Sequence, residues 1–117
     1  MSFLIVDDNC VMRRTIRFVV SEFAREINEC EDGAEALSAY EKYLPDWVLM
    51  DVEMREKDGL TATREICTSF LDAKIVIVTK YGDAAIREAA QKAGACGFVL
   101  KENLLELRGI IANQVDQ

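Results

Sequence analysis

Asp7, Asp8, Asp51, Thr79 and Lys101 are the residues of this sequence whose types and places could do chemistry. They come directly after four short apolar runs: Phe3 to Val6, Trp47 to Met50, Ile75 to Val78 and Phe98 to Leu100. Taken singly, each has an ordinary structural use: a carboxylate can cap a helix, a threonine can bond its own backbone, and a lysine can sit in water. Taken together they form a reactive set. Three crowded carboxylates repel one another by about 1–4 kcal/mol per pair at about 4 Å, depending on the effective dielectric. A hard divalent cation relieves that repulsion, and an all-oxygen site of this charge density suits Mg²⁺. One carboxylate can then attack phosphorus and form an acyl phosphate. Such a transfer depends on positioning and charge neutralisation more than on covalent help. Mg²⁺ and Lys101 would cover two phosphoryl oxygens, and the Thr79 hydroxyl could bond the third.

The set converges only if the apolar runs lie side by side and point the same way. Their apolarity is continuous rather than alternating, which predicts strands buried on both faces, as in a parallel sheet. A weaker fifth strand is expected around Glu26 to Cys30. Between the runs the period changes to that of a helix. Met12, Ile16, Val19 and Phe23 share one face, as do Leu37, Tyr40 and Leu44 before Pro45. Leu60, Thr63, Cys67 and Phe70 predict a third helix, and Ile86, Ala89, Ala90 and Ala93 a fourth, capped by Asp83 and ended by Gly94. Leu104, Leu107, Ile111 and Val115 predict the fifth. Five βα units in strict alternation imply an α/β fold with helices on both faces of a parallel sheet. Such sheets place their ligand sites beyond the carboxyl ends of the strands.

Composition narrows the function. The 117 residues suit one domain, 1–117, with a real hydrophobic core. A formal net charge of −7 argues against nucleic acid or an anionic membrane surface as direct partner. The apolar run before Asp7 is too short for a signal peptide or a membrane span. Cys10, Cys30, Cys67 and Cys96 form no C-x-x-C pair, and histidine is absent, which excludes an ordinary zinc site. Scattered cysteines in a chain with a good core predict a reduced, cytoplasmic protein with buried, inert thiols.

The motifs resemble those of the receiver domains of two-component response regulators, from Phe3 to about Ala112. Val6-Asp7-Asp8-Asn9 resembles the family's acidic pair, and Leu49-Met50-Asp51-Val52-Glu53-Met54 its phosphorylation site with Asp58-Gly59 ending the loop. Val78-Thr79 resembles the switch hydroxyl, and the stretch from Gly94 to Lys101 the strand with the switch aromatic and the lysine. The resemblance implies a flavodoxin-like, doubly wound, five-stranded sheet of order 2-1-3-4-5 with five helices. It implies that Asp51 is the phosphoacceptor, and that Asp8, Asp51 and the Glu53 backbone carbonyl bind Mg²⁺ directly, with Asp7 acting through water. Lys101 would contact the phosphoryl group, Thr79 would move toward it, and Phe98 would rotate inward behind Thr79. The implied phosphodonor is a histidine kinase or a histidine phosphotransfer protein. The implied output surface is the fourth helix, fifth strand and fifth helix, facing a protein target. Beyond self-catalysed phosphoryl transfer and autodephosphorylation, no enzymatic activity is implied.

The sequence departs from the family pattern at Arg55, Lys80 and Glu102, where it usually has proline, a small residue and proline. A cis bond before Glu102 would cost about 3–4 kcal/mol, so a trans Lys101-Glu102 bond is expected, with Glu102 in the first turn of the last helix and Lys101 still reaching Asp51. Lys80 and Glu53 are expected to pair across the mouth of the site, and Glu53 and Tyr81 to flank the path of attack. The chain's ending has no basic linker, which favours a stand-alone receiver over the alternative, the N-terminal piece of a longer transcriptional regulator. A haloacid dehalogenase-type phosphatase also uses a strand-end Asp, but needs D-x-D on its first strand, where this chain has the acidic pair. A flavin carrier would need a phosphate-cradling loop in place of Asp7-Asp8-Asn9.

Overall fold

The computed structural model describes residues 1–115. Its strands are β1 (Ser2–Val6), β2 (Glu26–Cys30), β3 (Trp47–Met50), β4 (Ile75–Thr79) and β5 (Gly97–Leu100). They alternate with helices α1 (Cys10–Val20), α2 (Ala36–Tyr43), α3 (Gly59–Ser69), α4 (Ala84–Ala93) and α5 (Glu106–Val115). The strands form one parallel sheet in the order β2-β1-β3-β4-β5, as expected.

Both faces of the central strands are buried, and the two-residue period of a strand sorts their side chains between two cores. Phe3, Ile5, Trp47, Leu49, Val76 and Val78 pack with Ile16, Val19, Leu107 and Ile111 of α1 and α5. Leu4, Val6, Val48, Met50, Ile75 and Ile77 pack with Ala36, Tyr40, Ala62, Ile66 and Ala90 of α2, α3 and α4. Alternate residues serve opposite cores, which is why the runs carry no polar position. Trp47 is fully buried, with the Lys74 ammonium 4.7 Å from its ring centroid.

Asp58 and Asp83 cap α3 and α4 by accepting the N–H groups of Thr61 and Ile86, and Asn9 caps α1 through Val11 and Met12. Several helix expectations change at the ends. Phe23 lies in a 3-10 turn after α1, and Leu104 precedes α5. Phe70 is the extended residue that ends α3, although its ring still packs against Tyr40. Leu44 belongs to no buried face. It takes the left-handed conformation that ends α2 (φ 45°) and is exposed, because the chain must turn sharply before Pro45. Glu102 lies in a separate 3-10 turn, Lys101–Asn103, rather than in α5, and its peptide bond with Lys101 is trans. The buried-thiol expectation also fails in part: Cys30 is buried, whereas Cys10 and Cys96 are exposed, since each falls at the rim of an element. No helix among the described residues is long and apolar enough to cross a membrane.

Two glycines give opposite tests of this packing. Gly94 ends α4 at φ 110°, where an added Cβ would lie 2.8 Å from Cys67 Sγ, whereas Gly109 sits inside α5 with open space around it. Gly94→Ala is expected to destabilise the fold by roughly 1–2 kcal/mol. Gly109→Ala should stabilise it by about 0.5–1 kcal/mol. Urea unfolding curves check both, and a shift of the same sign in the two variants would contradict this account.

Candidate functional site

The parallel register brings the carboxyl ends of β1, β3, β4 and β5 to one edge of the sheet. Asp7, at the end of β1, is buried. Its Oδ1 accepts the Asn9 N–H at 2.8 Å, and its backbone carbonyl accepts Arg13 Nη1 at 2.7 Å. Asp51 continues β3, donates its N–H to the Val6 carbonyl and is also buried. Its Oδ1 accepts the Val52 N–H at 2.9 Å, which leaves Oδ2 aimed into the site. Asp8, the next residue after Asp7, is exposed at the rim.

From the far side, Lys101 reaches across from the end of β5. Its Nζ lies 2.9 Å from Asp7 Oδ2 and 3.4 Å from Asp51 Oδ2. The first contact is an ion pair to a buried carboxylate oxygen that has no other partner among the described residues. Thr79, buried at the end of β4, accepts the Tyr81 N–H on its hydroxyl at 3.3 Å. Asp7, Asp51 and Lys101 thus meet at one edge, and Thr79 ends β4 at that same edge.

Asp7, Asp8 and Asp51 each offer a carboxylate oxygen, and these lie within 4.8 Å of one another. Three carboxylates thus face one ammonium. Burial and the charge of Asp7 push the Asp51 carboxyl up to about 6, against the pull of Lys101. Burial disfavours the Lys101 ammonium, but Asp7 and Asp51 outweigh it and hold its pKa above the ordinary value. An excess of negative charge and three carboxylate donors within 4.8 Å of one another fit a hard divalent cation such as Mg²⁺. At neutral pH the Asp51 carboxyl is mostly ionised. A cavity of about 370 Å³ opens above it, lined by Asp8, Glu53, Arg55, Lys80 and Lys101 among others.

The mouth differs from expectation. Among the described residues Lys80 makes no ion pair with Glu53. The Tyr81 hydroxyl instead donates to Glu53 Oε2 at 3.4 Å, and the Lys80 ammonium lies 5.8 Å from the Tyr81 ring centroid. Both side chains thus meet Tyr81. Phe98 is half-buried on β5, beneath the Arg87 guanidinium of α4 at 4.5 Å. Sequence reasoning missed Arg13, which ties the Asp7 carbonyl to Glu29 of β2 (Nε to Oε1, 2.8 Å). Nothing local in the sequence marks that contact.

The raised Asp51 pKa gives a test with a definite sign. Its folded value of about 6 exceeds the ordinary carboxylate value, so ionising Asp51 costs the folded state stability as pH rises between the two. In EDTA, Asp51→Asn should therefore be more stable than wild type at pH 8, by roughly 1–3 kcal/mol. The gain should shrink to about 0.5 kcal/mol by pH 4, where the carboxyl is protonated in the folded state and about half protonated in the unfolded one. Denaturant titrations at the two pH values check this, and an equal gain at both would refute the electrostatic origin.

Known proteins share this arrangement. The response regulator receiver domain matches residues 3–112. Chemotaxis protein CheY of Halobacterium salinarum is 39% identical over 98 residues, covering 84% of this chain and 82% of that protein. The uncharacterized transcriptional regulatory protein YhcZ of Bacillus subtilis is 36% identical over 104 residues, or 87% of this chain and 49% of the regulator. Among solved structures, a LuxR-family two-component response regulator from Aurantimonas superposes with a TM-score of 0.89 at 30% identity, over 98% of this chain and 84% of its own. CheY of Borrelia burgdorferi, in a complex with CheX, BeF3 and Mg²⁺, superposes with a TM-score of 0.81 at 25% identity, over 86% and 77% of the two chains. On the match across residues 3–112 and the likeness to CheY over most of both chains, the chain belongs to the receiver domains of two-component response regulators, which are signalling domains.

Proposed function

We propose that Asp51 accepts a phosphoryl group from a phosphohistidine and that its added charge is the signal. The observation that carries this reading is the Lys101 ammonium held between Asp7 and Asp51. An Asp51 oxygen forms the new bond to phosphorus while the bond between phosphorus and the donor's imidazole nitrogen breaks, and that nitrogen keeps the electron pair. Lys101 stays beside the phosphoryl oxygens, and the Thr79 hydroxyl turns from Tyr81 to donate to one of them. Asp8, Asp51 and the Glu53 backbone carbonyl would hold Mg²⁺, with Asp7 acting through water. Bound there, Mg²⁺ neutralises charge on the transferring group. The complex of Borrelia CheY with BeF3 and Mg²⁺ supports this assignment.

In the switch we assign, Phe98 follows Thr79 inward and remodels the face made by α4, β5 and α5 for a protein target. The half-buried place of Phe98, able to move either way, supports that role. Glu53 and Tyr81 flank the path by which water reaches the acyl phosphate, and hydrolysis there is the only turnover assigned. The donor is a histidine kinase or histidine phosphotransfer protein, and the chain works in the cytoplasm as one domain over residues 1–117. CheY relatives matched over most of their length favour a stand-alone receiver. Regulators matched over about half their length favour a second reading, the receiver of a longer transcriptional regulator. The coding length of the natural gene separates the two.

Incubated with a small acyl phosphate and Mg²⁺, the wild-type chain should gain the mass of one phosphoryl group and Asp51→Asn should gain none. Equal labelling of the variant would end this reading. Mg²⁺ at a hundred times its Kd should add about 2.7 kcal/mol to the folded state. Thermal melts read that gain, and an Asp8→Ala variant that keeps the full Mg²⁺ shift would remove Asp8 from the site.

A further inference from the structure

Residues 51–58 carry the site from β3 into α3 without helix or strand of their own. Glu53 lies on this loop, and Arg55 stands on it in place of the stiffening proline usual in the family. A loop with so little internal bonding needs its course fixed from outside. The outside partner is Asp32, which follows β2, a strand that gives the site no residue.

The Asp32 carboxylate accepts three backbone N–H groups. Oδ2 takes Glu56 at 2.9 Å, and Oδ1 takes Lys57 at 3.1 Å and Ala34 at 2.8 Å. The Ala34 bond caps the 3-10 turn Gly33–Glu35, while the other two cross to a loop more than twenty residues on. Among the described residues Asp32 has no salt bridge, so its protein partners are backbone amides. Those amides, with that of Arg55, outweigh partial burial and hold the carboxyl below its ordinary value. The two loops also touch backbone to backbone: a Cβ on Gly33 would lie 2.3 Å from the Lys57 carbonyl oxygen and 3.2 Å from that of Asp58. Both termini of the 51–58 loop are anchored independently, since Gly59 donates to the Val52 carbonyl and packs against the Asp51 carbonyl. Asp32 grips the middle.

We propose that Asp32 is a positioning residue for the phosphoryl-accepting site, holding the loop after Asp51 so that Glu53 keeps its place at the cavity. This rests on the function proposed above, because the loop matters to the chemistry only if Glu53 helps to hold Mg²⁺. A carboxylate suits the task because charged acceptors bind amides more strongly than neutral ones and can serve several at once.

The test compares Asp32→Ala, Asp32→Asn and, as a control, Asp46→Ala. Asp46 likewise accepts a backbone N–H, from Ser2 at 2.7 Å, but at the opposite edge of the sheet. Calorimetry measures Mg²⁺ affinity, and hydrogen exchange of the Glu56 and Lys57 amides is followed in metal-free protein. Asp32→Ala should weaken Mg²⁺ binding about tenfold, the loss of roughly one charged hydrogen bond. The same variant should speed exchange at both amides at least tenfold. Asp32→Asn, which keeps an acceptor oxygen, should recover much of each effect. Asp46→Ala should leave Mg²⁺ affinity and both amides unchanged, even where it lowers stability. Wild-type Mg²⁺ affinity in a folded Asp32→Ala, or wild-type exchange at the two amides in Asp32→Asn and Asp32→Ala alike, would overturn the positioning role alone. A wild-type chain that binds no Mg²⁺ would overturn the parent reading and this one with it.

Discussion

The structure turns on the enclosed meeting of Lys101 with Asp7 and Asp51. An ammonium and two carboxylates withdrawn from water are costly unless they satisfy one another, and removing the ammonium leaves two uncompensated buried carboxylates. Two acids against one base leave the balance short of neutral, with Asp8 adding a further negative charge at the rim. That residual imbalance favours a cation at this edge, as the proposed function requires. The folded chain accepts local electrostatic strain at this edge, as functional sites commonly do.

Only a parallel sheet assembles such a site from so short a chain. Each strand must end at the same edge, so each helix must return the chain to the opposite edge, and five returns consume most of the sequence. Continuous apolar strands follow, because both faces are covered. The sheet also divides the work. β1, β3 and β5 end in the residues of the acid–lysine cluster, while β2 and the turn after it hold the neighbouring loops through Arg13–Glu29 and Asp32.

Much of this was legible in the sequence because it is local or periodic. The apolar runs identified the strands, and the residues after the runs of β1, β3 and β5 meet at one edge, since parallel strands all end there. Asp83 and Gly94 were readable as helix punctuation because caps act over three or four residues. What escaped was set by tertiary packing. Leu44 matched the helical period of α2, but the turn into Pro45 claimed its backbone. The pairing of Lys80 with Glu53 was sound on charge, yet in the fold both side chains meet Tyr81 instead. Cys10 and Cys96 look like core residues by type, and only their positions at element rims expose them. Asp32 appears in the sequence as one more acidic residue before a glycine. Its hold on Glu56 and Lys57 depends on the approach of two loops that no pattern along the chain encodes.

Trp47 has an optical consequence. It is the chain's single tryptophan, enclosed at the start of β3 with its indole nitrogen unpartnered and an ammonium above its ring. Four residues of extended strand separate it from Asp51, about 13 Å. Its emission therefore belongs to the core and not to the reactive edge. Intrinsic fluorescence of this chain is a reporter of whether the sheet is intact, and it stays largely indifferent to what occupies the far end of the strand.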